Sequence, residues 1–165
     1  MDHKDFIPSI KMALKLIGEV EEEPKITGLE LLRQLLERND EQLVELGYDQ
    51  VIFKDLIRLA QFENGLSLRK TLEILEIYYF ANSMHLDHLA ETLIYRVART
   101  NDREICYTCL EKISSLVDHF DDSVAKHSKQ LLKLADLNEI TDLNPIMSEI
   151  LTKMEAKLPR RKVTR

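Results

Sequence analysis

The sequence predicts an all-α fold, and three observations carry that expectation. Leu29-Glu30-Leu31-Leu32 recurs as Leu72-Glu73-Ile74-Leu75, about 43 positions on, and a helix set that repeats every 40 or so residues marks a stacked α-solenoid. The 165 residues include only four glycines and four prolines, with no glycine after Gly65. Leu, Glu and Lys abound while Val and Thr are sparse, a balance that favours helices over strands. An apolar fraction of 44 % supports a continuous core at this length. The expected organisation is one domain over residues 1–157, in roughly three to four helical units wound right-handed, and a basic flexible tail over residues 158–165.

The elements follow from apolar spacing and its interruptions. A first helix over Asp5–Val20 places Phe6, Ile10, Ala13, Leu14 and Ile17 on one face, with Pro8 tolerable in its first turn. The run Glu21-Glu22-Glu23 before Pro24 reads as a solvated turn. A second helix over Lys25–Arg38 buries Leu29, Leu32, Leu35 and Leu36, and Asn39 or Asp40 is positioned to cap a short third helix over Glu41–Leu46. Gly47 suits the left-handed conformation that ends it. A fourth helix over Asp49–Phe62 places Val51, Ile52, Leu56 and Leu59 inward, and Asn64-Gly65 signals a turn.

The fifth helix, Ser67–Phe80, aligns Leu68, Leu72, Leu75 and Tyr79, and a break is expected at Asn82-Ser83. The sixth, Asp87–Arg99, carries Leu89, Leu93, Ile94 and Val97. Thr100-Asn101-Asp102 caps a seventh over Arg103–Val117, and Asp121-Asp122-Ser123 starts an eighth with Val124, Leu131, Leu132 and Leu134 towards the core. Asn144-Pro145 reads as an N-cap followed by proline at the first helical position, with the last helix running to about Ala156.

Within Lys25–Phe80, the segment DEQLVELGYDQVIFKDLIRLA, preceded by LELLRQLL, resembles an armadillo repeat: a short helix ending near a glycine, here Gly47, then two longer helices. Gln61-Phe62-Glu63-Asn64 and the helix ending Tyr78-Tyr79-Phe80 are similar to the C-terminal repeats of importin-α proteins. HEAT repeats, built from two helices, are the nearest related architecture. The resemblance implies an armadillo- or HEAT-like stack whose concave surface comes from the second and fifth predicted helices. Cargo grooves in that family use Trp and Asn ladders, and this sequence has no Trp; what the resemblance implies is the fold, not cargo carriage.

The formal net charge of −6 is uneven: Lys157, Arg160, Arg161, Lys162 and Arg165 give the last nine residues +5, leaving −11 on the rest. An acidic body argues against nucleic acid and for basic protein partners. The tail triplet Arg160-Arg161-Lys162 suits either a nuclear-localisation or phosphate-contact patch, or a solubilising extension. No apolar run is long enough to span a membrane, and the first residues lack a signal peptide's continuous apolar stretch. The expected location is cytoplasmic, nuclear or both.

Cys106-x-x-Cys109 is the strongest chemical motif, since two thiolates at this spacing hold zinc or cycle as a redox pair. No second such pair exists, His119 and His127 do not follow at zinc-finger spacing, and no strand precedes the motif. Positions i and i+3 share a helical face, so the favoured reading packs both cysteines with Leu110 and Ile113. His85-x-x-His88-x-x-Glu91 lacks the spacing of a zinc protease. Asp118-His119-Phe120-Asp121-Asp122 lacks the alternating oxygens and central glycine of a calcium loop. No nucleophile elbow, phosphate loop or dinucleotide fingerprint occurs. No catalytic residue and no cofactor is expected.

The expected function is non-enzymatic protein binding, as an adaptor or scaffold that uses a helical-repeat surface. The candidate contact positions are Glu30, Arg33 and Glu37, then Glu73 and Glu76; their excess of carboxylates predicts a protein or peptide ligand with a basic or mixed-charge segment. Two other readings stand beside it. One is a structural subunit that caps a larger helical-repeat assembly. The other is a small metal- or thiol-dependent enzyme using Cys106 and Cys109.

Overall fold

The computed structural model describes residues 3–79, 83–134 and 143–158. Among them every regular element is helical: α1 His3–Ile17, α2 Glu22–Glu45, α3 Tyr48–Phe62, α4 Gly65–Tyr79, α5 Ser83–Arg99, α6 Arg103–Leu116, a 3-10 turn Val117–His119, α7 Asp122–Leu134 and α8 Asn144–Lys157. The chain divides into two compact units, Met1–Tyr79 and Phe80–Arg165.

In the first unit α1 and α2 form a hairpin, α3 and α4 a second pair, and α2 packs on α4. The core is the aliphatic stripe the spacing predicts: Ile10, Ala13 and Ile17 from α1, Leu29, Leu32, Leu35, Leu36 and Leu43 from α2, and Leu68, Leu72 and Leu75 from α4, all buried. Leu14 is half-buried. Phe6 and Tyr79 carry side chains outside the described set, as do Asn39 and Asp40. Where the chain must turn sharply, Gly47 follows α2 at φ 77° and Gly65 opens α4 at φ 55°, left-handed conformations that cost glycine little. Lys25, near the start of α2, pairs with Glu63 in the α3–α4 turn and ties it down.

Three expectations fail in this unit. Glu22 and Glu23, read as part of a turn before a helix from Lys25, already form the first turn of α2. The break at Asn39-Asp40 does not occur: α2 runs unbroken from Glu22 to Glu45 and absorbs the expected short helix. Leu36 and Leu43 are seven residues apart and both buried, so the buried face continues in phase for two turns and outweighs the capping preference of Asn and Asp. Val51 is 46 % exposed rather than inward, and the buried face of α3 instead adds Phe53, Ile57 and Ala60.

In the second unit α5 packs on α6 and α7, and α8 packs on α6, α7 and the 3-10 turn. Leu89, Leu93, Ile94 and Val97 of α5 are buried, with Val124 and Leu132 of α7, while Leu131 is half-buried. Asp102 caps α6 as expected, its carboxylate accepting from the N–H groups of Glu104 at 2.9 Å and Ile105 at 3.3 Å. Asp121 does the same for α7, accepting from Val124 N–H at 2.8 Å. The C-terminal end of α6 and the turn beyond it are satisfied by lysines from α8. Lys153 Nζ donates to Ser114 Oγ at 2.9 Å, and Lys157 Nζ to the Asp118 carbonyl at 2.8 Å. Asn144 is not the cap of α8: Leu143 occupies that position, and its side chain is buried. Burial of Leu143 shifts the helix start one residue upstream, which puts Pro145 in the second helical position, still free of the hydrogen-bond ladder. Asn82 and Leu134's side chain lie outside the described residues, as does the tail after Leu158.

Candidate functional site

The repeat that organises the sequence places α2 against α4, and with them the residues read as a contact surface. Leu32 and Leu75, equivalent in the two resembling segments, are both fully buried. Glu30, two residues before Leu32, and Glu73, two residues before Leu75, line one cavity of about 150 Å³ together with Leu29, Arg33, Lys70 and Ile74.

Arg33 stands between two carboxylates on its own helix, Glu30 at 3.6 Å and Glu37 at 3.7 Å, the i,i+3 and i,i+4 neighbours that share a helical face. Glu30 also receives the Lys70 ammonium from α4. That hydrogen bond, reinforced by the charges of Lys70 and Arg33, holds the Glu30 carboxyl below the usual glutamate range despite some opposing burial. Arg33, Glu37 and Glu73 are exposed; Glu30 and Glu76 are half-buried rather than open. Glu76 shares the helix of Glu73 but is not among the cavity's lining residues.

Sequence reasoning missed Lys70. Its signal was present: it lies three residues before Glu73 and so shares that face of α4. Its presence changes the charge of the surface to four carboxylates against two cations.

The cysteines occupy a different environment, in the second unit. Both are fully buried on α6 with Leu110 and Ile113. The Cys106 thiol faces the carbonyls of Val97 at 3.8 Å and Thr100 at 3.9 Å. Burial pushes the Cys109 thiol up to about 12, and burial with the nearby Asp102 charge raises that of Cys106. Raised values keep both groups protonated at neutral pH, and it is the thiolate that attacks or ligates. Among the described residues no group of three or more His, Cys, Asp and Glu is placed to hold a metal ion. His88 is exposed, and Glu91 faces His127 of α7 at 3.5 Å; His85 has a side chain outside the described set. We expect both thiols of the native protein to resist a disulfide-exchange reagent such as Ellman's, and both to react once guanidinium unfolds the chain. Prompt reaction in the native state, or stoichiometric zinc that is lost in the double variant Cys106→Ser, Cys109→Ser, would restore a chemical role to the pair.

No described helix is long and apolar enough to cross a membrane. No protein-family model, no curated protein and no solved structure matches the chain.

Proposed function

We propose that the chain is a non-enzymatic adaptor or scaffold of armadillo/HEAT-like helical-repeat architecture that binds a basic or mixed-charge protein segment across α2 and α4. The observation that carries this reading is the cavity at which Glu30 and Arg33 of α2 meet Glu73 of α4, three of the five positions expected to form one surface. Two further features support it. Helices pair as α1–α2, α3–α4, α5–α6 and α7–α8, and alternate helices pack, α2 on α4 in one unit and α5 on α7 and α6 on α8 in the other, the pattern of stacked helix hairpins. The continuous α2 favours the two-helix, HEAT-like form of repeat over the three-helix one. The charge is also segregated: residues 1–79 hold sixteen carboxylates against ten Lys and Arg, whereas residues 80–165 hold thirteen of each. The net charge of −6 therefore belongs to the unit that carries the cavity.

A second reading, a subunit capping a larger repeat assembly, draws on a specific feature: Val44, Leu46 and Val51 stay exposed around the turn from α2 to α3. Partners captured by affinity purification and identified by mass spectrometry separate the two. Against a captured partner, Glu37→Lys with Glu73→Lys should weaken binding about tenfold, or 1.4 kcal/mol, and the loss should shrink as salt rises. Both side chains are exposed, so circular dichroism should show an unchanged fold. A folded double variant that binds like wild type in calorimetry would move the site off this face.

A further inference from the structure

Within the cavity between α2 and α4 the charges are not equivalent. Glu30 is occupied: Lys70 bonds it from α4, and Arg33 lies 3.6 Å away on α2. Arg33 in turn shares its other terminal nitrogen with Glu37 at 3.7 Å. The two resident cations are thus each matched by a carboxylate, and they do not present a free positive field to the cavity. Glu73 differs. It is exposed, it lines the same cavity, and among the described residues its carboxylate makes no ion pair or hydrogen bond. Leu29 and Ile74 complete the lining, but both are almost fully buried.

We infer that this cavity takes a single lysine or arginine side chain from a partner segment, its charged head anchored on the Glu73 carboxylate. The inference rests on the binding reading above and deepens it by separating the carboxylates into two roles. Glu73 touches the incoming cation. Glu30 is a positioning residue that neutralises Lys70 and Arg33, which would otherwise repel that cation. An anionic side chain is not admitted, because Glu30 already fills the place it would take beside the two resident cations. A hydrogen bond between two ionised groups is stronger than a neutral one, which matches a cationic head to a cavity with one unmatched carboxylate.

Fluorescence anisotropy tests this with labelled peptides of alternating glycine and arginine, of alternating glycine and lysine, and of alternating glycine and glutamate, titrated against the full chain. Wild type should bind the cationic peptides and not the acidic one. Glu73→Gln should weaken cationic binding about tenfold, the loss expected for one charge-assisted hydrogen bond. Glu45→Gln makes the same change in net charge at an exposed position of α2 that does not line the cavity, and should leave binding within twofold. Circular dichroism confirms that each variant folds. If no cationic peptide binds wild type, the binding reading falls and the inference with it. If cationic peptides bind but Glu73→Gln matches wild type, or Glu45→Gln weakens binding as much, the inference alone falls, and recognition is spread over the acidic face. Preferential binding of the glutamate peptide would also overturn it, by showing that Lys70 and Arg33 are available.

Discussion

Leu32→Ala and Leu75→Ala each lower the free energy of unfolding by about 2–5 kcal/mol, the range for truncating a buried leucine. The two residues are fully buried, and they lie on α2 and α4, which pack against each other. Removing three side-chain carbons from such a site forfeits their transfer free energy and leaves a hole that the backbones of two packed helices can close only in part. Net stabilities of domains are about 5–15 kcal/mol, so either change removes a large share. Val51→Ala supplies the comparison. It deletes apolar atoms from the same unit, but Val51 is 46 % exposed, and its removal should stay within about 0.5 kcal/mol. Denaturation followed by circular dichroism measures all three. Equal midpoints for Leu32→Ala, Leu75→Ala and wild type would show that the resembling segments do not form the core they share here.

The helical class and most of the core were legible in the sequence because both rest on a local periodicity. Leu29, Leu32, Leu35 and Leu36, and again Leu68, Leu72 and Leu75, repeat at the spacing of one helical face, and all seven are buried. The caps at Asp102 and Asp121 were legible for a related reason, since a carboxylate reaches only the N–H groups two or three residues on. What failed was decided by tertiary context. Asn39-Asp40 looks like a helix boundary to a local rule, but Leu43 holds the next two turns in phase with the core. Val51 fits a helical apolar line, yet α3 turns a face centred on Ile52, Phe53 and Leu56 inward and leaves it outside. For Asn144, the buried Leu143 overrides the capping preference of the asparagine.

The candidate surface was half legible. Glu30, Arg33, Glu37, Glu73 and Glu76 came from one argument, that two segments with the same buried line carry comparable outward faces. Matching buried lines fix positions and not pairings. That Lys70 reaches across from α4 to Glu30 is not legible locally, because a side-chain bond between residues forty apart depends on how two helices lie against each other. The consequence is chemical. A face read as four carboxylates around one guanidinium becomes Glu30 and Glu37 paired with Lys70 and Arg33 and Glu73 left over, and the proposed recognition narrows from general acidity to one position.

Gly28→Val should destabilise the first unit by about 1–3 kcal/mol, the cost of forcing extra atoms into a packed interface. Nothing in the sequence distinguishes Gly28 from an ordinary weak spot inside α2, where glycine is about 1 kcal/mol less favourable than alanine. Its surroundings do. A Cβ built there would lie 2.8 Å from Leu16 Cβ, 2.9 Å from Ile17 Cγ2 and 2.9 Å from the Ile17 backbone nitrogen. The last contact decides the sign, because a side-chain tip can rotate away and a backbone nitrogen moves only with its helix. Any residue with a Cβ therefore pushes α1 off α2 and disturbs Ile17, which is fully buried. Gly28→Ala sets the gain in helix propensity against this clash and should still lose stability, by less than the valine. Gly18→Ala is the control: its Cβ would meet only the Lys15 and Leu14 carbonyl oxygens at 3.5 and 3.6 Å, ordinary contact distances, and the change should fall within about 0.5 kcal/mol. Thermal denaturation of the three variants gives the order directly. If Gly28→Val melts with wild type, or if Gly18→Ala is the more damaging, α1 and α2 do not meet at Gly28, and the hairpin that supports Leu29 and Leu32 has a different register.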